Sequence, residues 1–337
     1  MAATNAKNWN LSIQLGRLIA ACFVVFIHVM FPTALGGIAE ATARFAVPFF
    51  FAVSGYFSYQ LSAAKILKRA FRLFRLTIIA TLICLAADLI LVKFSAAGSY
   101  EEYFTSCFSA ASIRDWILFG TNPISEHLWY LSAALGCYVL FAAYSARAVK
   151  IHGYKPLYRI GILLLLSQFL LGSILPLFGI RFSYQIYRNT LLLGLPMFIL
   201  GLYIREHQNA LVEKKHFRSD KLILYIGIGT VCSVIWRILF YETELPIGAV
   251  IAAGAFMLLT ASYPHPFNTG AYQHRICDAC SRISLVIYII HPTVNHILST
   301  AINLSPYLQP FIVIATSMLC GIIFDCIMSA LSIFSRT

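Results

Sequence analysis

Apolar runs near 20 residues recur along almost the whole chain, separated by short polar segments in which lysine and arginine cluster. A helix rising 1.5 Å per residue needs about 20 residues to cross a hydrocarbon layer of about 30 Å. The runs at 12–31, 45–62, 74–93, 127–145, 159–177, 189–205, 221–240, 246–262, 283–301 and 309–332 therefore predict ten spanning helices. One or two such runs fit buried helices of a soluble protein, but ten in succession do not. The expected fold class is all-α, a polytopic membrane helix bundle of about ten transmembrane helices, with residues 1–337 forming a single membrane domain. The longest stretch between spans, roughly 94–126, carries Glu101, Glu102, Asp115 and the turn-like Gly120-Thr121-Asn122-Pro123. It is expected to fold back over the bundle as a lid or a short interfacial helix.

Composition sharpens the picture. Of 337 residues, 60% are hydrophobic and 11% charged, against roughly 25% charged in a soluble domain. The formal charge of +12 would suit a nucleic-acid partner if the basic residues shared one surface. Instead they sit in blocks such as Lys65 to Arg75, Arg147 to Arg159 and Lys214 to Lys221, which alternate with poorer segments. That alternation follows the positive-inside rule: it argues against a nucleic-acid partner and places both termini on the cytoplasmic side of a bacterial inner membrane, with membrane lipids as the surroundings. The nine cysteines lie mostly inside apolar runs, and Cys277-x-x-Cys280 has no second pair at metal-ligand spacing, so no bound metal is expected.

Ionisable residues inside spans are costly and normally face a bundle interior or cavity. Arg17 and His28 stand eleven positions apart on the first helix. At 100° per residue they share one face to within about 20°, with about 16 Å between their Cα atoms. A snorkelling anchor plus a packing histidine is the plain reading. The block that follows favours another, because Lys65, Lys68 or Arg69, Arg72 and Arg75 form a cationic stripe, expected on a helical extension of the second span. Such a stripe holds lipid head groups or the phosphates of a large acyl carrier. With the carrier's head at Arg69, Arg72, Arg75 and Arg17, its reactive end would reach His28.

Other positions invite chemistry or packing. Ser54-Gly55 puts a small step in an aromatic helix, which suits close approach by another helix or a ligand. Glu126 is placed to polarise His127, and Trp129 is either a belt residue or part of the same site. His291, before Pro292, is expected near mid-membrane. Arg188 and Asn189 close an outer aromatic and basic cluster that fits a polar acceptor or an interfacial girdle. Asp325 in the last span needs a partner, structural or catalytic.

Taken together, Arg17-x10-His28, the stretch from Pro48 to Phe57 with Ser54-Gly55-Tyr56, the Arg-x-x-Arg pairs, His127-Leu128-Trp129 and Ser284-Leu285-x-Ile287-Tyr288-x-x-His291-Pro292 resemble the integral-membrane acyltransferase-3 family. The resemblance implies a ten-span acyltransferase. It would take acetyl-CoA or another short acyl-CoA as donor and transfer the acyl group to a hydroxyl of a sugar, a cell-envelope polysaccharide or a small molecule. It assigns His28 and Arg17 as the catalytic pair; Arg69 with Arg72, or Arg72 with Arg75, as the basic pair; and Ser54 and Gly55 as lining the donor site. Glu126, His127, Trp129, Arg188, Asn189 and His291 are the candidates for substrate contact. Gln14 stands where the family often has an acid, and Thr77 near where a proline commonly follows the basic pair.

Arg188-Asn189-x4-Gly194-Leu195-Pro196-x4-Gly201 is also similar to the acyltransferase-like membrane half of glycopeptide-resistance serine racemases. That similarity supports a competing class, a transporter of a small polar solute such as an amino acid, with His28, His291 and Asp325 lining its cavity. Direct transfer through His28 is expected over a covalent acyl-enzyme at Ser54, because no base is tied to that serine in the sequence. Acceptor identity, acyl group and oligomeric state are left open by the sequence.

Overall fold

The computed structural model describes residues 10–94, 99–240, 243–264 and 272–334. Among them there are helices and no strands. Helix α1 (Leu11–His28) begins where Asn10 accepts the Ile13 N–H at 2.9 Å, satisfying one of the donors that a helix start leaves open. The second apolar run is split into α2 (Thr33–Ala43) and α3 (Ala46–Tyr56), with α3 deep in the core.

The next helix corrects the expected placement of the basic stripe. Helix α4 runs unbroken through 32 residues, Ala63–Phe94, so Lys65, Arg69, Arg72 and Arg75 open the third spanning segment instead of extending the second. A turn at Phe57–Ser62, with Gln60 at φ 57°, separates the two. Helices α5 (Tyr100–Cys107) and α6 (Ala110–Phe119) follow, capped by Ser99 and Ser109 and closed by Gly120 at φ 76°. Ile117 and Leu118 are 75% and 65% exposed, an apolar face suited to the membrane interface.

A single 3-10 turn, Glu126–Leu128, feeds α7 (Trp129–Arg147), after which the short α8 (Val149–His152) leads to α9 (Lys155–Phe169). Helix α9 continues through a π turn and a 3-10 turn to Phe178. Beyond α10 (Tyr184–Tyr187), a π turn at Thr190–Gly194 enters α11 (Leu195–Val212). The bundle is completed by α12 (Ser219–Leu239), α13 (Ile247–Ser262), α14 (Gln273–Ala301) and α15 (Gln309–Phe334). Nine helical segments among the described residues are long and apolar enough to cross a membrane; α13 is an apolar helix of 16 residues. These ten segments correspond one to one with the ten apolar runs.

Close backbone approach holds α3 at the centre. A Cβ on Gly55 would lie 1.8 Å from the Phe198 carbonyl oxygen, and one on Gly201 would lie 1.9 Å from that of Ala52, so α3 and α11 touch main chain to main chain. Gly55 is therefore a packing residue and lines neither of the large cavities described below, contrary to the role expected for it at the donor site. Arg282 donates to Asp325 at 2.5 Å, which ties α14 to α15 and gives that carboxylate a structural partner. Because backbone cannot yield as a flexible side chain can, Gly55→Ala should destabilise the fold by about 1–3 kcal/mol. A thermal melt of the purified variant in detergent checks this, and a melting temperature equal to wild type would refute the contact.

Candidate active site

Pro292 organises one end of the site. Proline has no N–H and its ring crowds the carbonyl four residues back, so the ladder of α14 opens around Tyr288. The Tyr288 carbonyl loses its backbone donor, and side chains approach it and its neighbours. His291 Nδ1 lies 3.0 Å from the oxygens of both Ile287 and Tyr288, and His127 Nε2 lies 3.1 Å from that of Ile289. A carbonyl only accepts, so each of these nitrogens carries the proton. His127 Nδ1 is then an acceptor, and the Ser125 hydroxyl donates to it at 2.9 Å.

Three imidazoles meet here. The His28 ring stands 5.1 Å from that of His291 and 6.2 Å from that of His127, centre to centre, and the latter two are 5.2 Å apart. Their bonding separates them. His127 is satisfied at both nitrogens, and His291 is wholly buried with its Nε2 lone pair unpartnered. His28 ends α1, presents its ring to a cavity of about 730 Å³ and makes no hydrogen bond to another described residue. Of these three, only His28 has both an accessible ring and a nitrogen left to take a proton; His296, on the same cavity wall, is also exposed but has no ring contact with this group.

The His28 cavity is walled by ion pairs. Arg44 bonds Glu40 one turn earlier and Glu244 at 2.6 Å; Arg188 bonds Glu244 at 2.7 Å and Glu126 at 2.9 Å; and Arg237 reaches Glu40 at 3.6 Å. Glu126 thus pairs with Arg188 and leaves His127 to Ser125, correcting the expected polarisation of His127. Adjacent residues on a helical turn point apart, which is why sequence neighbours did not become partners. Burial pushes the Glu244 carboxyl up, yet Arg44 and Arg188 together carry it below its ordinary value. Tyr103 of α5 closes over the rim by donating to Asp88 at 3.0 Å.

A second cavity, about 810 Å³, opens at the basic side of the bundle and continues into a smaller one of about 260 Å³. Arg17, Arg69 and Ser54 line both, and Arg72 lines the smaller. Arg17 donates to Gln14 at 3.0 Å and to Ser281 at 2.9 Å, both neutral. Arg69 donates to the Phe57 carbonyl at 2.6 Å. Arg75 is exposed and lines none of these cavities, so of the two sequence registers it is Arg69 with Arg72 that faces the space.

Among the described residues, the His28 cavity shares no lining residue with the other two. Arg17 and His28 lie on one helix as expected but open into different cavities. Between these stands a septum: Tyr130 and Tyr288 line the basic-side space, the Tyr288 hydroxyl donates to the His127 carbonyl at 2.5 Å, and His127 faces the other side. Ser54 is on the basic side, its hydroxyl donating to the Phe50 carbonyl, and so is separated from His28. Trp129 packs against Phe51 in the core. Asn189 spends its side chain on the main chain, accepting from Leu191 and Leu192 and donating to Gln185 and Ile186. Neither lines any of these three cavities.

A family model described as acyltransferase domain, acyltransferase-3, matches residues 10–328. The chain belongs to the acyltransferase-3 family. No curated protein and no solved structure matches it. This acyltransferase is an enzyme that transfers groups other than aminoacyl groups. The stretch similar to serine-racemase membrane halves is mainly packing in the acyltransferase, since Gly194 abuts Cys137 and Phe51 while Gly201 abuts Ala52.

Sequence reasoning missed the acyltransferase's buried Glu40–Arg44–Glu244 set. The signal was present, because Glu40 and Arg44 are an i, i+4 pair of opposite charge in an apolar window. Glu244 has a depressed folded-state pKa, so its contribution is complete above the ordinary value of 4.5 and is lost as pH falls through the folded value. Glu244→Gln should lower the melting temperature at pH 7, and the gap to wild type should narrow below about pH 4. Melts across pH check this; a gap that stays constant would contradict it.

Proposed function

We propose that this acyltransferase is an O-acyltransferase of the bacterial inner membrane, with both termini cytoplasmic. It moves a short acyl group, acetyl by preference, from cytoplasmic acyl-coenzyme A to a hydroxyl of a sugar, an envelope polysaccharide or a small-molecule acceptor. The observation that carries this reading is the pair of cavities set back to back across the Tyr130–Tyr288 septum. One holds the accessible imidazole of His28, with His296 also on its wall, and the other a cluster of guanidiniums. Phosphate oxygens are natural partners for Arg17, Arg69 and Arg72. The thioester end would pass the septum toward His28 once the two tyrosines turn aside.

His28 then takes the proton of the acceptor hydroxyl as the oxygen attacks the thioester carbonyl. Collapse of the tetrahedral adduct breaks the carbon–sulfur bond, and the imidazolium returns its proton to the departing thiolate. The unpartnered His291 Nε2 supports this assignment: a small rotation of His28 would let one ring nitrogen donate to it, which leaves the other aimed at the acceptor. His291 is thus a positioning residue. Direct transfer is preferred over a Ser54 ester because Ser54 and His28 open to different cavities.

His28→Ala should lower turnover at least about 100-fold while the protein still folds. His291→Ala should lower kcat without changing the donor KM, and Arg72→Ala should mainly raise that KM. Membranes incubated with labelled acetyl-coenzyme A, followed by identification of the product that vanishes with His28→Ala, test the reading. Full turnover in that variant, or stable label on the protein without acceptor, would overturn it.

A further inference from the structure

The basic-side cavity contains an arginine that the donor assignment leaves unused. Arg205, in the second half of α11, lines this space and is joined to a buried tyrosine in two ways. Its Nη1 donates to the Tyr56 hydroxyl at 3.1 Å, and its guanidinium carbon stands 5.1 Å from the centre of the Tyr56 ring. Tyr56 donates in turn to Gln208 Oε1 at 2.7 Å and is only 6% exposed, so the ring is a fixed platform. A guanidinium seated on an aromatic face keeps its remaining N–H groups in a defined plane, which a lysine would not.

This charge has neutral partners. Arg205 forms no ion pair among the described residues, and the neighbouring Glu206 accepts instead from the Tyr158 hydroxyl. Arg69 is anchored to Phe57, the residue after Tyr56, so two guanidiniums hang from consecutive positions at the end of α3 and face one cavity. With its oxygen occupied by Tyr56, Gln208 has its amide N–H groups free to meet an acceptor. A single phosphate does not call for this arrangement. It suits a ligand with a second anionic group set apart from the first and a flat polar ring beside it.

We propose that Arg205, Tyr56 and Gln208 form a subsite for the phosphorylated nucleoside end of the donor, with Arg205 holding a ribose phosphate and the Gln208 amide meeting the base. The subsite rests on the proposed function in taking coenzyme A as donor, and it deepens that reading by separating a nucleotide-head subsite from the Arg69–Arg72 position. A ribose phosphate and a lipid head group offer Arg205 the same chemistry, and the experiment separates them.

The full chain is placed in nanodiscs of zwitterionic or of anionic lipid, and binding of adenosine 3′,5′-bisphosphate and of adenosine 5′-monophosphate is measured by calorimetry. Wild type should favour the bisphosphate by about tenfold or more, as one charge-assisted contact allows, in both lipids. Arg205→Gln should erase the preference, and Arg159→Gln, an exposed change elsewhere on the basic side, should keep it. Equal affinities in wild type, or an undiminished preference in Arg205→Gln, would overturn the subsite. Loss of the preference in anionic lipid alone would also overturn it, by assigning Arg205 to head groups. In wild-type turnover, the KM for acetyl-coenzyme A should lie below that for its 3′-dephospho form; equal values would refute the subsite while leaving the proposed function standing. Binding through Arg205 without any acyl transfer would do the reverse.

Discussion

Hydrocarbon offers a polar group no partner, so each one placed among the spans must find its partner in the protein, in water-filled space or in a ligand. The arginines sort themselves by this constraint. Arg282 has Asp325, and Arg44 and Arg188 share Glu244. Arg17 and Arg205 have neutral partners and border the same basic-side cavity. Paired charges hold the bundle together, and charges met only by neutral groups mark where an anion is to be received.

The same constraint explains why the histidines sit where helices are interrupted. Pro292 leaves the Tyr288 carbonyl of α14 without its usual donor, which His291 replaces, while His127 bonds the neighbouring Ile289 carbonyl. Each bond fixes a tautomer, so the break in the ladder sets which nitrogen of each ring is left over. For His291 the remainder is a buried lone pair beside the His28 ring.

The apolar helical segments were legible because apolar length alone sets them, and helical periodicity put Arg17 and His28 on one helix. What periodicity could not give was the interior between them. The septum arises where α7 and α14 bring Tyr130 and Tyr288 together, a contact between residues far apart in sequence. The basic stripe was assigned to the wrong helix because the turn at Phe57–Ser62 contains no proline or glycine to announce it. Gly55 fitted either another helix or a ligand, and the resemblance assigned it to the donor site; its neighbour is the Phe198 backbone, since a small residue signals close approach without naming what approaches. Asn189, within an apparent recognition cluster, is consumed by the helix start that it caps.

The central claim is a division of labour across the septum, with donor phosphates on the arginine side and proton transfer on the histidine side. A structure of the full chain with bound coenzyme A tests it most directly. The account predicts phosphate density among Arg17, Arg69 and Arg72, and the thiol end at Tyr130 and Tyr288, pointing toward His28. Coenzyme A with its phosphates in the His28 cavity, held by Arg44 and Arg188, would contradict it.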